Sequence, residues 1–299
     1  MIVVQNPGAF TTVQDLGRPM QGMSGVSRAG AADPVSLRLG NRLLGNPENA
    51  SALEMTLLGG TFVFPEGAVV AIAGPESVRP VHLQPGETLR AGPIQPGVRG
   101  YLCVRGGIEV PLIAGSASTH VPGNMGGFEG RPLRKLDTLR IGTAAVGAVR
   151  EGIRPEILAK LAPRRTLRVT LGPQADWFPA DALAQFLTGT YTVSNNSNRL
   201  GVRLDGPALS LQNGAEMTTE GVPLGAIQIT AGGLPIILFV DQQTTGGYPK
   251  IANVVTVDLP SVGQLRPGDQ VRFEQIDPAH AHQLIREREA LLKSEEIFL

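Results

Sequence analysis

Short runs rich in Val, Ile, Thr and Phe recur along this chain, and each is closed by a residue that turns or stops it. MIVVQ (1–5), GTFVF (60–64), AVVAIAG (68–74), RGYLCVRG (99–106) and TLRVTLG (166–172) are followed by TYTVS (190–194), AIQIT (226–230), LPIILFVD (234–241), ANVVTVD (252–258) and DQVRFEQ (269–275). β-Branched and aromatic side chains suit a pleated, half-buried surface, while Gly, Pro, Asn and Asp at the borders reverse the chain. Glycine (38) and proline (24) together make up about a fifth of the 299 residues, against roughly 12% in ordinary usage. There is no Gly-x-y period, so the excess means many turns between short strands and predicts a mainly β protein.

Few segments read as helices. In 33–46, Asp33 is placed to cap, Pro34 occupies the first helical position and Gly45 stands where a left-handed terminal residue belongs. Gly40 weakens that helix. Residues 176–189 read as a second helix, and 277–296 as a charged terminal one.

Two sets of echoes divide the chain. LQPGETLRAG (83–92), LRKLDTLRIG (133–142) and LRPGDQVRFE (265–274) each place a turn before a strand, and RGYLCVRGGIEVP (99–111) parallels LPIILFVDQQTTGGYP (234–249). We therefore expect two related β-barrel subdomains, 1–150 and 164–276, joined by a connecting segment at 151–163 and followed by the helix 277–299.

Charge excludes several classes. Lys+Arg and Asp+Glu are equal at 26 each, with no basic block, so nucleic acid is not an expected partner. Cys103 is the only cysteine, which rules out an intrachain disulfide and fits a reducing, cytoplasmic setting. MIVVQNPGAF lacks a basic start and a long apolar core, and no apolar run approaches membrane-spanning length. No metal site is expected, since His280 and His282 lie on the charged terminal helix and Cys103 sits in an apolar strand.

Standard nucleotide, zinc and redox motifs are missing, and so is any biotin-attachment sequence. Chemistry must then come from the Gly-punctuated loops. The stretch 8–34 carries Thr11, Thr12, Gln14, Asp15, Arg18, Ser27, Arg28 and Asp33. Asp15 and Arg18 are either site residues or a local ion pair; Asp33 is read first as a cap. A second loop, 118–133, brings His120, Asn124 and Arg131, and strand ends present Arg199, Arg203, Thr219 and Glu220. Glu220 is a general base or a turn carboxylate. QTTGGYPKIA (243–252) is an anion-binding loop with Lys250 or a tight turn.

TTVQDLGR (11–18), GAADPVSLRLGN (30–41), LEMTLLGG (53–60) and RGGIEVP (105–111) resemble the allophanate hydrolase subunit 2 family. So do NRLGVRLDGPAL (198–209), TEGVPLGAIQI (219–229), QTTGGYPKIANV (243–254) and GQLRPGDQVRF (263–273). The resemblance covers about residues 3–275. The family includes the C subunit of bacterial 5-oxoprolinase, the Kip antagonist and part of the carboxyltransferase domain of urea carboxylase. It implies a cyclophilin-like β-barrel fold. Three motifs depart from the family pattern. Ala117 stands where the family has arginine in Gly-Ser-Arg-Ser-Thr, Asn198 replaces aspartate in Ser-Asp-Arg-Met-Gly, and Thr219 replaces serine in Ser-Glu-Gly. The first two alter the charge of site loops.

The resemblance implies membership of an ATP-dependent 5-oxoprolinase that opens the lactam of 5-oxoproline to glutamate. Its expected partners are an allophanate hydrolase subunit 1-like protein (similar to the B subunit of 5-oxoprolinase) and a third 5-oxoprolinase subunit, with ATP shared by the complex. Asp15, Glu220 and Lys250 are then the candidate catalytic residues. Substrate or nucleotide would meet Thr12, Gln14, Arg18, Arg199, Thr219, Gly221, Thr244, Thr245, Gly246, Gly247 and Tyr248. Two other readings share these loops. One is a biotin-dependent carboxyltransferase component acting on a urea-like amide, with biotin on another chain. The other is a non-enzymatic Kip antagonist-type regulator that binds a kinase inhibitor.

Overall fold

The computed structural model describes residues 1–19, 22–143, 145–212 and 217–299. The chain forms two compact units, Met1–Pro19 with Ala29–Ala162 and Leu291–Leu299, and Met20–Arg28 with Pro163–Ala290. Short segments therefore cross the boundaries expected from the echoes: 22–28 pack with the second unit, and 291–299 with the first. Ser27 Oγ, for example, donates to Val240 O at 3.0 Å. The connecting segment 151–163 lies almost wholly within the first unit.

The first unit contains β1 (Ile2–Asn6), β2 (Phe10–Gln14), α1 (Pro34–Leu43), β3 (Ala52–Thr56), β4 (Thr61–Phe64), β5 (Ala68–Ala73), β6 (Val78–Leu83), β7 (Glu87–Arg90), β8 (Arg99–Val104), β9 (Ile108–Glu109), β10 (Thr138–Ile141) and α2 (Pro155–Leu161). Its strands form two antiparallel five-stranded sheets, β7-β4-β1-β10-β9 and β2-β3-β8-β5-β6, rather than the closed barrel expected of this half. The period-2 alternation of strands explains the layering. Leu102 and Val104 of β8 join Ile2, Val4, Phe62 and Leu139 in the core shared by the two sheets. Tyr101 and Cys103 face the other way, into a second core with Leu37, Leu43, Ile157 and Phe298. A run buried on both faces has no polar alternation, which is why RGYLCV reads as continuously apolar.

Helix α1 starts as expected. The Asp33 carboxylate accepts from the amides of Val35 and Ser36, and from Ser36 Oγ at 2.6 Å. Gly40 is there for packing: a Cβ would come within 2.7 Å of Cys103 Sγ. Close helix–sheet contact thus overrides its poor helix propensity.

The second unit contains β11 (Thr166–Leu171), α3 (Ala180–Thr188), β12 (Tyr191–Val193), β13 (Gly201–Asp205), β14 (Glu220–Gly221), β15 (Ala226–Ile229), β16 (Pro235–Leu238), β17 (Thr245–Gly246), β18 (Lys250–Val254), α4 (Leu259–Gly263), β19 (Gln270–Gln275) and most of α5 (Pro278–Lys293). Seven strands close a barrel in the order β11-β18-β15-β16-β13-β12-β19, and β14 pairs with β17 as a separate ribbon. Closure comes from the parallel pairing of β11 with β19, from Thr166↔Arg272 to Val169↔Gln275. Leu167, Val169, Ile227, Ile229, Ile237, Val271 and Phe273 are buried, and Phe186 of α3 stacks on Phe273 with centroids 4.5 Å apart. The helix expected over 176–189 is interrupted: a 3-10 turn at Ala175–Trp177 precedes α3. Pro179 accounts for the break, because its ring drives Phe178 into extended backbone.

Candidate functional site

Two groups of polar residues stand out, one in each unit. In the first unit, β2 carries Thr12 and Gln14 into a turn at Asp15, and the loop 115–119 lies against it. Gln14 Nε2 donates to Thr12 Oγ1 at 3.0 Å and to Thr119 O at 3.1 Å. The Asp15 carboxylate accepts from Ser116 Oγ (2.6 Å), Ser118 Oγ (2.5 Å) and the amides of Ala117 (2.7 Å) and Gly17 (2.8 Å). Arg18 Nη2 donates to Ser118 O at 2.5 Å. All four residues are buried. Gly126 lets this layer close: its φ is +70°, and a Cβ there would collide with Ser118 O and Arg18 Nη2.

This group is a fastened network. Four donors fill the oxygens of Asp15, and three of them come from the loop where Ala117 stands. The charge is thus stabilised by hydroxyls and amides, which holds two loops together.

In the second unit the polar residues surround the ribbon of β14 and β17. Glu220 pairs with Gly246 and Gly221 with Thr245. The Lys250 ammonium hydrogen-bonds the Glu220 carboxylate, which also accepts from Gln174 Nε2 at 2.9 Å. Gln174 Oε1 in turn accepts from the Lys250 amide at 3.1 Å. The Lys250 side chain is 3% exposed and that of Glu220 40%. Hydrogen bonding to the ammonium holds the Glu220 carboxyl below its ordinary pKa, and Gln174 adds to the effect. Glu220 is therefore ionised at neutral pH and committed to a cation, so it takes a proton only when that pair is disturbed.

The segment 243–249 includes β17 and is tied to its neighbours on both sides of the ribbon. Gly247 O accepts from Gln228 Nε2 at 2.8 Å, and Thr244 O accepts from the amide of Val222 at 2.9 Å. Tyr248 has φ +83°, a left-handed conformation costly for a residue with a Cβ, and is 41% exposed. Below this loop lies a pocket of about 660 Å³ whose lining includes Gln228, Gln243, Gly247, Tyr248, Arg203 and Leu238. Arg199 is buried and sits in a bidentate pair with Asp241: Nε to Oδ2 at 2.8 Å and Nη2 to Oδ1 at 2.9 Å. The amide of Asp241 also donates to Arg199 O at 2.9 Å. This clamp joins the loop before β13 to the start of the 242–249 loop.

The structure therefore gathers Thr12, Gln14, Asp15 and Arg18 in one network and Glu220, Gly221, Thr244, Thr245, Gly246, Gly247, Tyr248 and Lys250 around the ribbon. Arg199 sits at the base of the adjoining loop, and Thr219 is exposed just before β14. Asp33 caps α1, and Arg131 is held by Glu129 and Asp137 with its guanidinium over Phe128. Met20 and Gln21 of the 8–34 loop lie outside the described residues. Gln174, Gln228 and Gln243 escape a reading based on charge and glycine, and Asp241, the last residue of LPIILFVD, is not singled out by one. Only Gln228 leaves a trace in the sequence, a carboxamide in the middle of the apolar strand AIQIT.

The family is set by similarity. Residues 24–275 match the carboxyltransferase domain, subdomain A and B, and the chain belongs to that family. Its relatives include the C subunit of 5-oxoprolinase from Haemophilus influenzae, 34% identical over 98% of this chain and 96% of that protein. They also include the urea amidolyase of Lachancea kluyveri, 35% identical over 98% of this chain but 18% of that protein. The crystal structure of K. lactis urea amidolyase superposes on the whole chain with a TM-score of 0.88 at 32% identity, and the chain spans 20% of it. These relatives are parts of enzymes. Among the described residues no helix is long and apolar enough to cross a membrane.

Proposed function

We propose that the chain is one component of an ATP-dependent 5-oxoprolinase complex, in which the lactam of 5-oxo-L-proline is opened to L-glutamate. One observation carries this reading. The chain is 34% identical to the C subunit of 5-oxoprolinase over 96% of that protein's length. The chain would work beside an allophanate hydrolase subunit 1-like protein and a third subunit. Resonance makes an unstrained amide a poor electrophile, so coupling lactam opening to ATP, which converts the amide oxygen to a phosphorylated leaving group, is chemically reasonable.

The pocket of the second unit is the region we assign to small-molecule binding, with Gln228, Gln243, Gly247 and Tyr248 lining it. Lys250 and Glu220 are read as a charge pair that fixes the ribbon under the loop and supplies a proton-transfer group once substrate disturbs it. ATP is treated as a co-substrate of the assembled complex. In this chain Arg199 is engaged by Asp241, so it is a weak candidate for holding phosphate.

The test is glutamate release from 5-oxoproline and ATP by the reconstituted subunits, with this chain present and then omitted. Activity that collapses on omission supports the reading; activity that persists without the chain refutes it. The competing reading, a carboxyltransferase component acting on a urea-like amide with biotin on another chain, draws on the urea amidolyase similarity. It would be favoured by urea-dependent consumption of carboxybiotin in the same mixtures.

A further inference from the structure

Arg203 belongs to no network described so far, yet it is exposed on β13 and lines the pocket of the second unit. Along β13, Val202 and Leu204 are buried while Arg203 is exposed, as strand alternation requires. Arg203 pairs across the sheet with Ile236, and Ile236 pairs on its other side with Gln228. A cation, an apolar side chain and a carboxamide are thus in line across three adjacent strands. Two inter-strand steps separate the ends of that row, roughly 10 Å between backbones. All three residues line the 660 Å³ pocket, where Arg203 is the sole charged lining residue among the described residues.

The polar atoms nearby have defined hydrogen-bonding capacity left. Gln228 Nε2 is committed to Gly247 O, so Gln228 offers its Oε1 as an acceptor. Asn198 Oδ1 accepts from the amide of Leu200 at 2.8 Å, so Asn198 offers its N–H donors. Gln243 lines the pocket with both functions. Among the described residues the Arg203 guanidinium makes no ion pair, and no carboxylate lines the pocket to neutralise it.

We propose that this face of the barrel is a subsite for a small molecule carrying both a carboxylate and an amide N–H, and that Arg203 sets the requirement for the carboxylate. A planar guanidinium binds a carboxylate through two parallel hydrogen bonds. Gln228 Oε1 accepts the amide N–H, Asn198 or Gln243 donates to the amide oxygen, and Ile236 and Leu238 underlie the carbon skeleton. The inference rests on the 5-oxoprolinase reading and sharpens it. A lactam with a carboxylate uses every one of these groups, whereas urea leaves Arg203 without a counter-charge.

The test is calorimetric titration of the full chain with 5-oxoproline, with 2-pyrrolidinone (the same lactam without its carboxylate) and with urea. It is run on the wild type, Arg203→Gln and Arg203→Lys, each checked for native circular dichroism. We expect 5-oxoproline to bind about tenfold or more tighter than 2-pyrrolidinone, the worth of one charge-assisted contact. Arg203→Gln should erase that difference without weakening 2-pyrrolidinone, and Arg203→Lys should restore part of it. Absence of 5-oxoproline binding to the folded chain overturns the subsite. So does an Arg203→Gln variant that binds 5-oxoproline like the wild type, or one that weakens both lactams equally. The two readings fail separately. Wild-type KM for 5-oxoproline in a complex containing Arg203→Gln overturns the subsite and leaves the function standing. Carboxylate-dependent binding, with no glutamate release from any mixture, supports the subsite and overturns the function.

Discussion

In the first unit a buried carboxylate, Asp15, meets four donors from two loops. In the second a buried ammonium, Lys250, meets a carboxylate whose own side chain is 40% exposed. Both groups sit beside glycine-rich loops that stand out in the sequence. The Asp15 carboxylate has its hydrogen bonds closed, although the buried Gln14 Oε1 beside it has no partner, whereas the second group is open to solvent at Glu220 and adjoins a pocket with unused donors and acceptors. A buried polar group with every partner in place rigidifies its surroundings, while a group with spare capacity can exchange one partner for a ligand. Glycine-rich loops with charges are common to both roles; the burial and partners of the central carboxylate tell them apart.

The sharpest way to break this contrast is at the base of the open site. Arg199 and Asp241 are as closed as the Asp15 network, and Arg199→Met leaves a buried carboxylate without its cation. It should cost about 3–5 kcal/mol, read as a fall in thermal midpoint, and the double variant Arg199→Met/Asp241→Leu should recover most of the loss. Next is Asp15→Asn, which turns an acceptor into a donor facing the donors that now bind it. A loss of about 2–3 kcal/mol in denaturant unfolding is expected. Activity measured where the variant is still folded should be nearly intact if the network is scaffold; its disappearance would make Asp15 part of the chemistry.

Smaller effects follow at the ribbon. The Glu220 carboxyl is held below its ordinary value, so its contribution to stability is present above the unfolded pKa and lost as the pH falls through the lower folded one. The stability gap between wild type and Glu220→Gln should therefore be constant near neutrality and shrink below about pH 4, with a total under about 1 kcal/mol because the carboxylate is partly solvated. Urea unfolding across that range measures it. Tyr248→Gly should leave the melting temperature unchanged or raise stability by up to about 1 kcal/mol, since glycine takes a positive φ without strain. If the same variant loses ligand binding, the strain at Tyr248 is kept for the pocket.

Much of the architecture was legible before the structure. Runs rich in Val, Ile, Thr and Phe between turn residues mark the strands, and Asp33, Pro34 and Gly45 mark both ends of α1. The exchange of segments between units was not legible, because 22–28 and 291–299 carry no compositional sign of which core they join. Nor was the closure difference between the halves: echoes in turns constrain strands, but closing a barrel depends on non-local pairing such as β11 with β19. For the candidate site, charged and glycine residues mark the loops that carry the two polar groups. They did not reveal that Asp15 would be filled by Ser116 and Ser118, or that carboxamides at 174, 228 and 243 would surround the ribbon. Neutral side chains have no signature in a charge pattern, and whether they bond to one another depends on folds far apart in sequence.

The return of residues 291–299 to the first unit has a consequence for biosynthesis. Leu292, Ile297 and Phe298 belong to the core under α1, Phe298 lies beneath the guanidinium groups of Arg42 and Arg150, and the amide of Arg154 donates to Ile297 O. On the ribosome, residues 1–162 emerge long before these do. The unit whose strands are translated first thus waits with part of its apolar surface uncovered until residues 291–299 arrive, while the second unit has all its segments in hand by residue 290. Translation order and completion order are reversed, and a nascent chain stalled late in synthesis would present that unfilled core to chaperones.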